Sequence, residues 1–319
     1  MQPVLNPPLS VVVPVYGNED SIAPLLAALE TLNAQVIGGI EAVFVVDGSP
    51  DSSLTRLADG LPSAGFVAQL ICLSRNFGSF AAIRVGLERA RGSVIAVMAA
   101  DLQEPLALIL EFLQALNEDK HDVAFGVRES RSDSWTTRLA SELFWSVYRR
   151  FVMPDIPKGG VDIFALTSGF RDRLLQLGES NSSLLAQLFW LGGRRAMIPY
   201  HRLPRQHGAS RWTLRKKLRY LSDSVFSFTD LPVRLLLLLG GLAMLVAVLL
   251  AMVIVIAKVS GVISVPGYAG TMLAVLFFGA FNALGLGVVG TYAWRAFENT
   301  KARPLAVIQS ETYFDKART

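Results

Sequence analysis

The chain is poor in cysteine: Cys72 stands alone among 319 residues. An internal disulfide is excluded, and a reducing compartment fits. The start has no basic leader ahead of a long apolar core. "LSVVVPVY" is short and runs into a polar cluster, so no signal peptide is expected. Carboxylates are missing from Ser180 to Ser222, where Arg194, Arg195, Arg202, Arg205, Arg211, Arg215, Lys216, Lys217 and Arg219 stand. A block of one sign calls for an anionic partner, whether phosphate, anionic lipid or nucleic acid. Charge of either sign is missing from Leu235 to Ala257. That run exceeds the roughly 20 residues that cross a bilayer. Internal repeats and low-complexity segments are also missing.

What is present falls into two regimes. Hydrophobic residues make up 52% of the chain, and mean hydropathy is +0.42. The excess is concentrated after Arg234, while the first two thirds read as a mixed globular sequence with net charge +4 overall. Within the mixed region the same pattern occurs four times. "LSVVVPVYGNEDSIAPLLAALETL", "EAVFVVDGSPDSSLTRLAD", "FVAQLICLSRNFGSFAAIRVGLERARG" and "SVIAVMAADLQEPLALILEFLQAL" each give an apolar run, a polar turn and a helix. Strands apolar at nearly every position, alternating with helices, predict a parallel sheet covered on both faces. Ligands of such sheets sit beyond the carboxyl ends of the strands. The polar residues there are Tyr16, Asn18 and Glu19, then Asp47 and Ser49, then Arg75, Asn76 and Gly78, then Asp101 and Gln103. "HDVAFGVRES" reads as a fifth strand, "GGVDIFALT" as another with Asp162, and "RRAMIPYHRLP" as an extended segment.

"TLRKKLRYLSDSVFSF" reads as a basic amphipathic helix on a membrane surface. Two uncharged runs follow, flanked outside by basic residues that belong in the cytoplasm. The expected division is a cytoplasmic α/β domain over 1–212, a juxtamembrane helix over 213–230, spans over 231–258 and 267–294, and a cytoplasmic tail over 295–319. The expected location is the inner membrane, with the chain crossing it twice.

Carboxylates and amides at parallel-strand ends suit a nucleotide or phosphate site. Asp101 and Gln103, two positions apart past a strand, can offer two oxygens to one hard cation such as Mg²⁺ or Mn²⁺. The plainer alternative makes Asp101 a helix cap and Gln103 a solvated loop residue.

Taken in order, "SVVVPVYGNEDSI", "FVVDGSPD", "SRNFGSFAAIRVGLERARG" and "ADLQEP" resemble the family-2 glycosyltransferases of the GT-A fold. The similarity is greatest to the polyprenyl-phosphate glycosyltransferases, such as dolichyl-phosphate mannose synthases and bacterial undecaprenyl-phosphate glucosyltransferases. It runs on through "GVRESRSDSW", "PRQHGASRWTLRKK" and the apolar tail. The resemblance implies that Pro14, Tyr16 and Glu19 frame the nucleotide and that Asp47 bonds uracil. Asn76, Phe77 and Gly78 lie beneath the donor beside Ala100. Asp101 is the second acid of an Asp-x-Asp metal motif, with Gln103 its companion. Arg205 and Arg211 take phosphates, and Asp162 holds the place of the catalytic aspartate. The implied reaction moves one sugar from a UDP-sugar, glucose first, to a polyprenyl phosphate with inversion, using Mg²⁺ or Mn²⁺. A lipid bilayer and a homo-oligomer packed through the anchor are the implied partners; nucleic acid is not.

The sequence departs from the pattern at four places. Ala99 replaces the first acid of Asp-x-Asp, Val46 the first of an Asp-Asp pair, and Ser79 a basic residue after "NFG". Val161-Asp162-Ile163-Phe164 lacks an expected arginine. Two other readings stay open. One is a membrane-anchored nucleotide-sugar binder with little turnover, the other a polysaccharide-synthase-like transferase. Against the second, "QHGASRW" has the wrong spacing for Gln-x-x-Arg-Trp. The aromatic helix around Trp135, Phe144, Trp145 and Tyr148 reads either as a lipid entrance or as core packing.

Overall fold

The computed structural model describes residues 7–128, 146, 148–150, 153–157, 161, 163–179, 182–203, 214–260 and 267–315. Val- and Ile-rich runs form β1 (Leu9–Val15), β2 (Ile40–Val46), β3 (Val67–Leu73) and β4 (Val94–Val97). Branched side chains fit a pleated surface better than a helix. Each strand leads to a helix: α1 (Ile22–Gln35), α2 (Ser53–Gly60), α3 (Ser79–Arg89) and α4 (Leu106–Asn117). Then follow β5 (Val123–Arg128), β6 (Phe164–Thr167), α5 (Ser168–Leu175), α6 (Leu184–Trp190) and β7 (Arg195–Tyr200). The hydroxyls of Thr167 and Ser183 cap α5 and α6 by accepting from the N–H groups of Phe170 and Ala186.

The strands described, with β8 (Ile308–Phe314) the last of them, belong to one sheet of order β7-β5-β6-β4-β1-β2-β3-β8. The inner pairs β1/β2, β1/β4 and β2/β3 are parallel, as is β5/β7. β6 runs antiparallel to β4 and β5. This is a mixed α/β, GT-A-like fold with a mostly parallel sheet. On one face Leu25, Leu29 and Leu32 of α1, Leu57 of α2 and Phe112 of α4 bury against Val11, Val13 and Phe44. On the other face α3 comes so close that a Cβ at Gly86 would meet Val12 Cγ1 at 2.3 Å.

Strand β8 (Ile308–Phe314) comes from the stretch that the sequence presents as a tail. It pairs antiparallel with β3, Ala68 opposite Phe314 and Cys72 opposite Ser310. Its side chains are largely exposed, so the apolar alternation that reveals a strand is absent. Polar contacts hold it: Arg89 pairs with Glu311 at 3.1 Å, and the Arg91 guanidinium lies 4.6 Å from the Tyr313 ring centroid and bonds its hydroxyl. Arg91 is in turn fixed by Glu41, which is fully buried on β2. The Glu41 carboxylate accepts from Arg91 Nε at 2.7 Å, Arg91 N at 2.8 Å, Gln69 Nε2 at 2.8 Å and the Ser10 hydroxyl. One carboxylate thus ties β1, β2, β3 and the turn before β4 at the amino ends of the strands.

The compact unit Arg219–Ala302 is described by itself. It comprises most of α7 (Leu214–Phe228), then α8 (Leu231–Val259) and α9 (Tyr268–Thr300). Both long helices are long and apolar enough to cross a membrane. Gly240 faces the Phe281 ring and Gly285 faces Leu236, which lets the two helices approach closely. At the other end of α9, Arg295 Nη2 donates to Asp223 on α7 at 2.7 Å and Nη1 to Ser227 at 3.3 Å.

Removing the Glu41 acceptor leaves Ser10, Gln69 and Arg91 donors without their anion. Glu41→Ala is expected to destabilise the protein by about 3 kcal/mol, seen as a melting midpoint lower by several degrees in detergent. A change below about 1 °C would show that the network contributes little.

Candidate functional site

The sheet order places β2 and β3 on one side of β1 and β4 on the other. The crevice of such a sheet opens where the order reverses, between the ends of β1 and β4. Four turns meet around it, and three are interlocked by named bonds. Asp47, 2% exposed at the end of β2, accepts from Phe77 N at 2.7 Å on Oδ1 and from Gly78 N at 2.8 Å on Oδ2. Asn76 Nδ2 donates to the Asp47 carbonyl at 3.2 Å. Gly48 is required beside it. Its φ is +59°, and a Cβ would lie 2.4 Å from the Arg75 carbonyl carbon. Gly78, with φ +101°, begins α3 from the left-handed side of backbone space.

The turn after β1 is held the same way. Gly17 N donates to Ser49 Oγ at 2.7 Å, Asn18 N to Ser53 Oγ at 3.1 Å and Glu19 N to Asp51 Oδ2 at 3.1 Å. Ser52 N returns a bond to Glu19 Oε2 at 3.1 Å. Burial pushes the Asp51 carboxyl up, but hydrogen bonds from Ser49, Ser53 and Glu19 outweigh it and hold the group below the usual carboxylate range.

The fourth turn, after β4, carries half-buried Asp101 and buried Ala100 and Gln103. Leu102 between them has φ +54°, an uncommon backbone for a residue with a side chain. The Gln103 side-chain oxygen faces a guanidinium. Gln103 Oε1 accepts from Arg202 Nη2 at 2.6 Å, its carbonyl from Leu203 N at 2.8 Å, and its Nε2 donates to the Leu203 carbonyl at 3.4 Å. An oxygen already facing a guanidinium is a poor ligand for a second cation. Ala99 offers none, and no cluster of three His, Cys, Asp or Glu exists among the described residues. The donor set therefore fits a divalent ion that arrives with a diphosphate and takes Asp101 as its protein ligand. It does not fit one caged by protein alone.

The sequence-derived residues divide accordingly. Pro14, Tyr16, Glu19, Asp47, Asn76, Gly78, Ala100, Asp101 and Gln103 lie in β1 or in these turns. Asp162, Arg205 and Arg211 lie outside the described residues, as do Trp135, Phe144 and Trp145. Tyr148 is fully buried, as core packing requires. Sequence reasoning missed the Asp51 clamp and the pairing of Arg202 with Gln103. "DGSPDSS" signalled a turn, but nothing in it named the backbone it would grip.

Residues 10–176 match the model of glycosyl transferase family 2. The chain belongs to that family. A glycosyltransferase of Synechocystis, described as uncharacterised, is 31% identical over 94% of each chain. A putative glycosyltransferase of Bacillus subtilis is 30% identical over 94% of this chain and 91% of its own. The undecaprenyl-phosphate 4-deoxy-4-formamido-L-arabinose transferase of Edwardsiella ictaluri is 30% identical over 95% of this family-2 chain and 93% of its own. Among solved structures, a glucosyl-3-phosphoglycerate synthase of Mycobacterium tuberculosis in complex with Mn²⁺, UDP and glucosyl-3-phosphoglycerate is 16% identical. It covers 68% of this chain and 76% of its own, with a TM-score of 0.46.

Because the Asp51 carboxyl is held below its unfolded value of about 3.9, its bonds stabilise the fold above that pH. The contribution is lost as pH falls through the lower folded value. The stability gap between the wild type and Asp51→Asn, from denaturation at a series of pH values, is expected to be widest above about pH 5 and to close toward about pH 2. A gap independent of pH would contradict the clamp.

Proposed function

We propose that this family-2 glycosyltransferase moves one sugar from a UDP-sugar, glucose first, to a polyprenyl phosphate at the cytoplasmic face of the inner membrane. The observation that carries the reading is the set of interlocked turns at the switch point, in a chain that also bears two apolar helices. The near full-length relative that acts on undecaprenyl phosphate supports the acceptor. The division into a transferase domain over 1–212, an interface helix over 213–230, spans over 231–258 and 267–294 and a cytoplasmic end over 295–319 belongs to this reading. The basic flanks support its orientation.

In this account Pro14, Tyr16, Glu19, Asn76, Gly78 and Ala100 line the donor crevice. Asp47 acts chiefly by fixing the Phe77–Gly78 turn and thereby the floor of the site. Asp101 faces the diphosphate and would hold Mg²⁺ or Mn²⁺, which would stabilise the departing nucleoside diphosphate. Arg205 and Arg211 neutralise phosphate charge. The acceptor needs little activation. With a second pKa near 6, about nine tenths of a phosphate monoester is dianionic at pH 7. One phosphate oxygen attacks the anomeric carbon as the bond to the diphosphate breaks, and the electron pair leaves with UDP. A single displacement turns an α-linked donor into a β-linked lipid phosphate. Asp162 orients the acceptor and takes its residual proton.

The test is turnover by purified protein in detergent with short-chain polyprenyl phosphate. UDP-glucose, UDP-galactose, UDP-N-acetylglucosamine and GDP-mannose are each supplied with Mn²⁺, Mg²⁺ or EDTA. One donor is expected to give glycolipid. Asp162→Asn should lower kcat by at least about 100-fold with donor affinity unchanged. Asp101→Ala should lower donor affinity and kcat together. Donor binding without product under every condition would overturn the transferase reading in favour of a sensor.

A further inference from the structure

Most arginines of the sheet domain meet carboxylates: Arg89 with Glu311, Arg91 with Glu41, Arg194 with Asp119 and Asp122, Arg195 with Asp155. Arg202 meets none among the described residues. Its polar partner there is the neutral amide oxygen of Gln103, at 2.6 Å from Nη2. Its Nε–H is buried and has no hydrogen-bond partner among the described residues. A guanidinium carries five donors in a fixed fork and pairs best with carboxylate or phosphate. Among the described residues that guanidinium makes one neutral bond and no ion pair.

The placement of this charge is built rather than incidental. The backbone of Leu203 makes two bonds with Gln103, through its N–H and its carbonyl, and Arg202 adds a third. Gln103 is buried in the turn after β4, two residues beyond Asp101. The left-handed backbone of Leu102 separates the two. The guanidinium therefore stands beside the turn after β4, in which Ala99 supplies no carboxylate for a cation.

We infer that Arg202, held by Gln103, binds the diphosphate of the nucleotide donor and supplies part of the positive charge that a second carboxylate-bound cation contact would otherwise bring. This rests on the donor reading proposed above. It predicts that recognition of the diphosphate survives without a divalent ion. It also gives Gln103 a task distinct from metal ligation: orienting Arg202.

The test is calorimetric binding of uridine, UMP and UDP to the full-length protein in detergent, in EDTA and in Mg²⁺, with the guanosine series in parallel. In EDTA the wild type is expected to bind UDP at least about 10-fold more tightly than uridine. Arg202→Ala should erase that preference while uridine affinity stays unchanged, which also reports that the site remains folded. Arg202→Lys should retain part of it, keeping the charge without the fork. Three results would overturn the inference and leave the donor reading standing, given tight UDP binding in Mg²⁺. The wild type could lose all preference for UDP in EDTA. Arg202→Ala could weaken uridine and UDP equally, the mark of a purely structural role. Or Arg202→Ala could leave UDP binding intact and raise only the KM for polyprenyl phosphate, moving the residue to the acceptor. Failure of the wild type to bind either nucleoside series, with or without Mg²⁺, would instead remove the donor reading and the inference with it.

Discussion

The carboxylate of Asp47 is the contact on which the site depends. It is buried at the end of a central strand, where an ionised group is costly unless its oxygens are satisfied. Two backbone N–H groups of the next turn satisfy them. That requirement fixes the Phe77–Gly78 turn, and Gly48 and Gly78 supply the backbone freedom it needs. Asp51, Ser49 and Ser53 extend the same logic to the turn after β1. The crevice is thus bordered by turns whose backbone is held in place by side chains.

Charge at the crevice follows from what the sequence withholds. With Ala99 in place of an acid and Gln103 turned to Arg202, Asp101 is the acid nearest the end of β4. Fewer carboxylates weaken the hold on a free divalent ion, while they also reduce repulsion of a diphosphate. A nearby guanidinium shifts the balance further in that direction. The acid-free block from Ser180 to Ser222 supplies that guanidinium and continues toward α7.

The four strand–turn–helix units were legible because β1 to β4 are apolar on both faces, and only a covered parallel sheet buries both. The crevice followed from the polar residues at their carboxyl ends. β8 was not legible: "IQSETYF" is an edge strand held by Arg89 and Arg91, which are remote in sequence, and it lacks a buried face. The pairing of Gln103 with Arg202 was not legible for a related reason. Spacing next to Asp101 suggests a shared ligand, but its partner lies 99 residues away on another strand's exit. Local pattern reports which turns carry polar groups. It does not report which of those groups the fold has already paired.

The reaction proposed above makes a lipid phosphate the nucleophile at the anomeric carbon. Its most direct test is the mass and anomeric configuration of the lipid product formed from polyprenyl phosphate and the preferred nucleotide sugar. One phosphorus per lipid, one added hexosyl unit and a β-linkage are expected. A product with two phosphorus atoms, or an α-linkage from an α-linked donor, would rule out a single displacement.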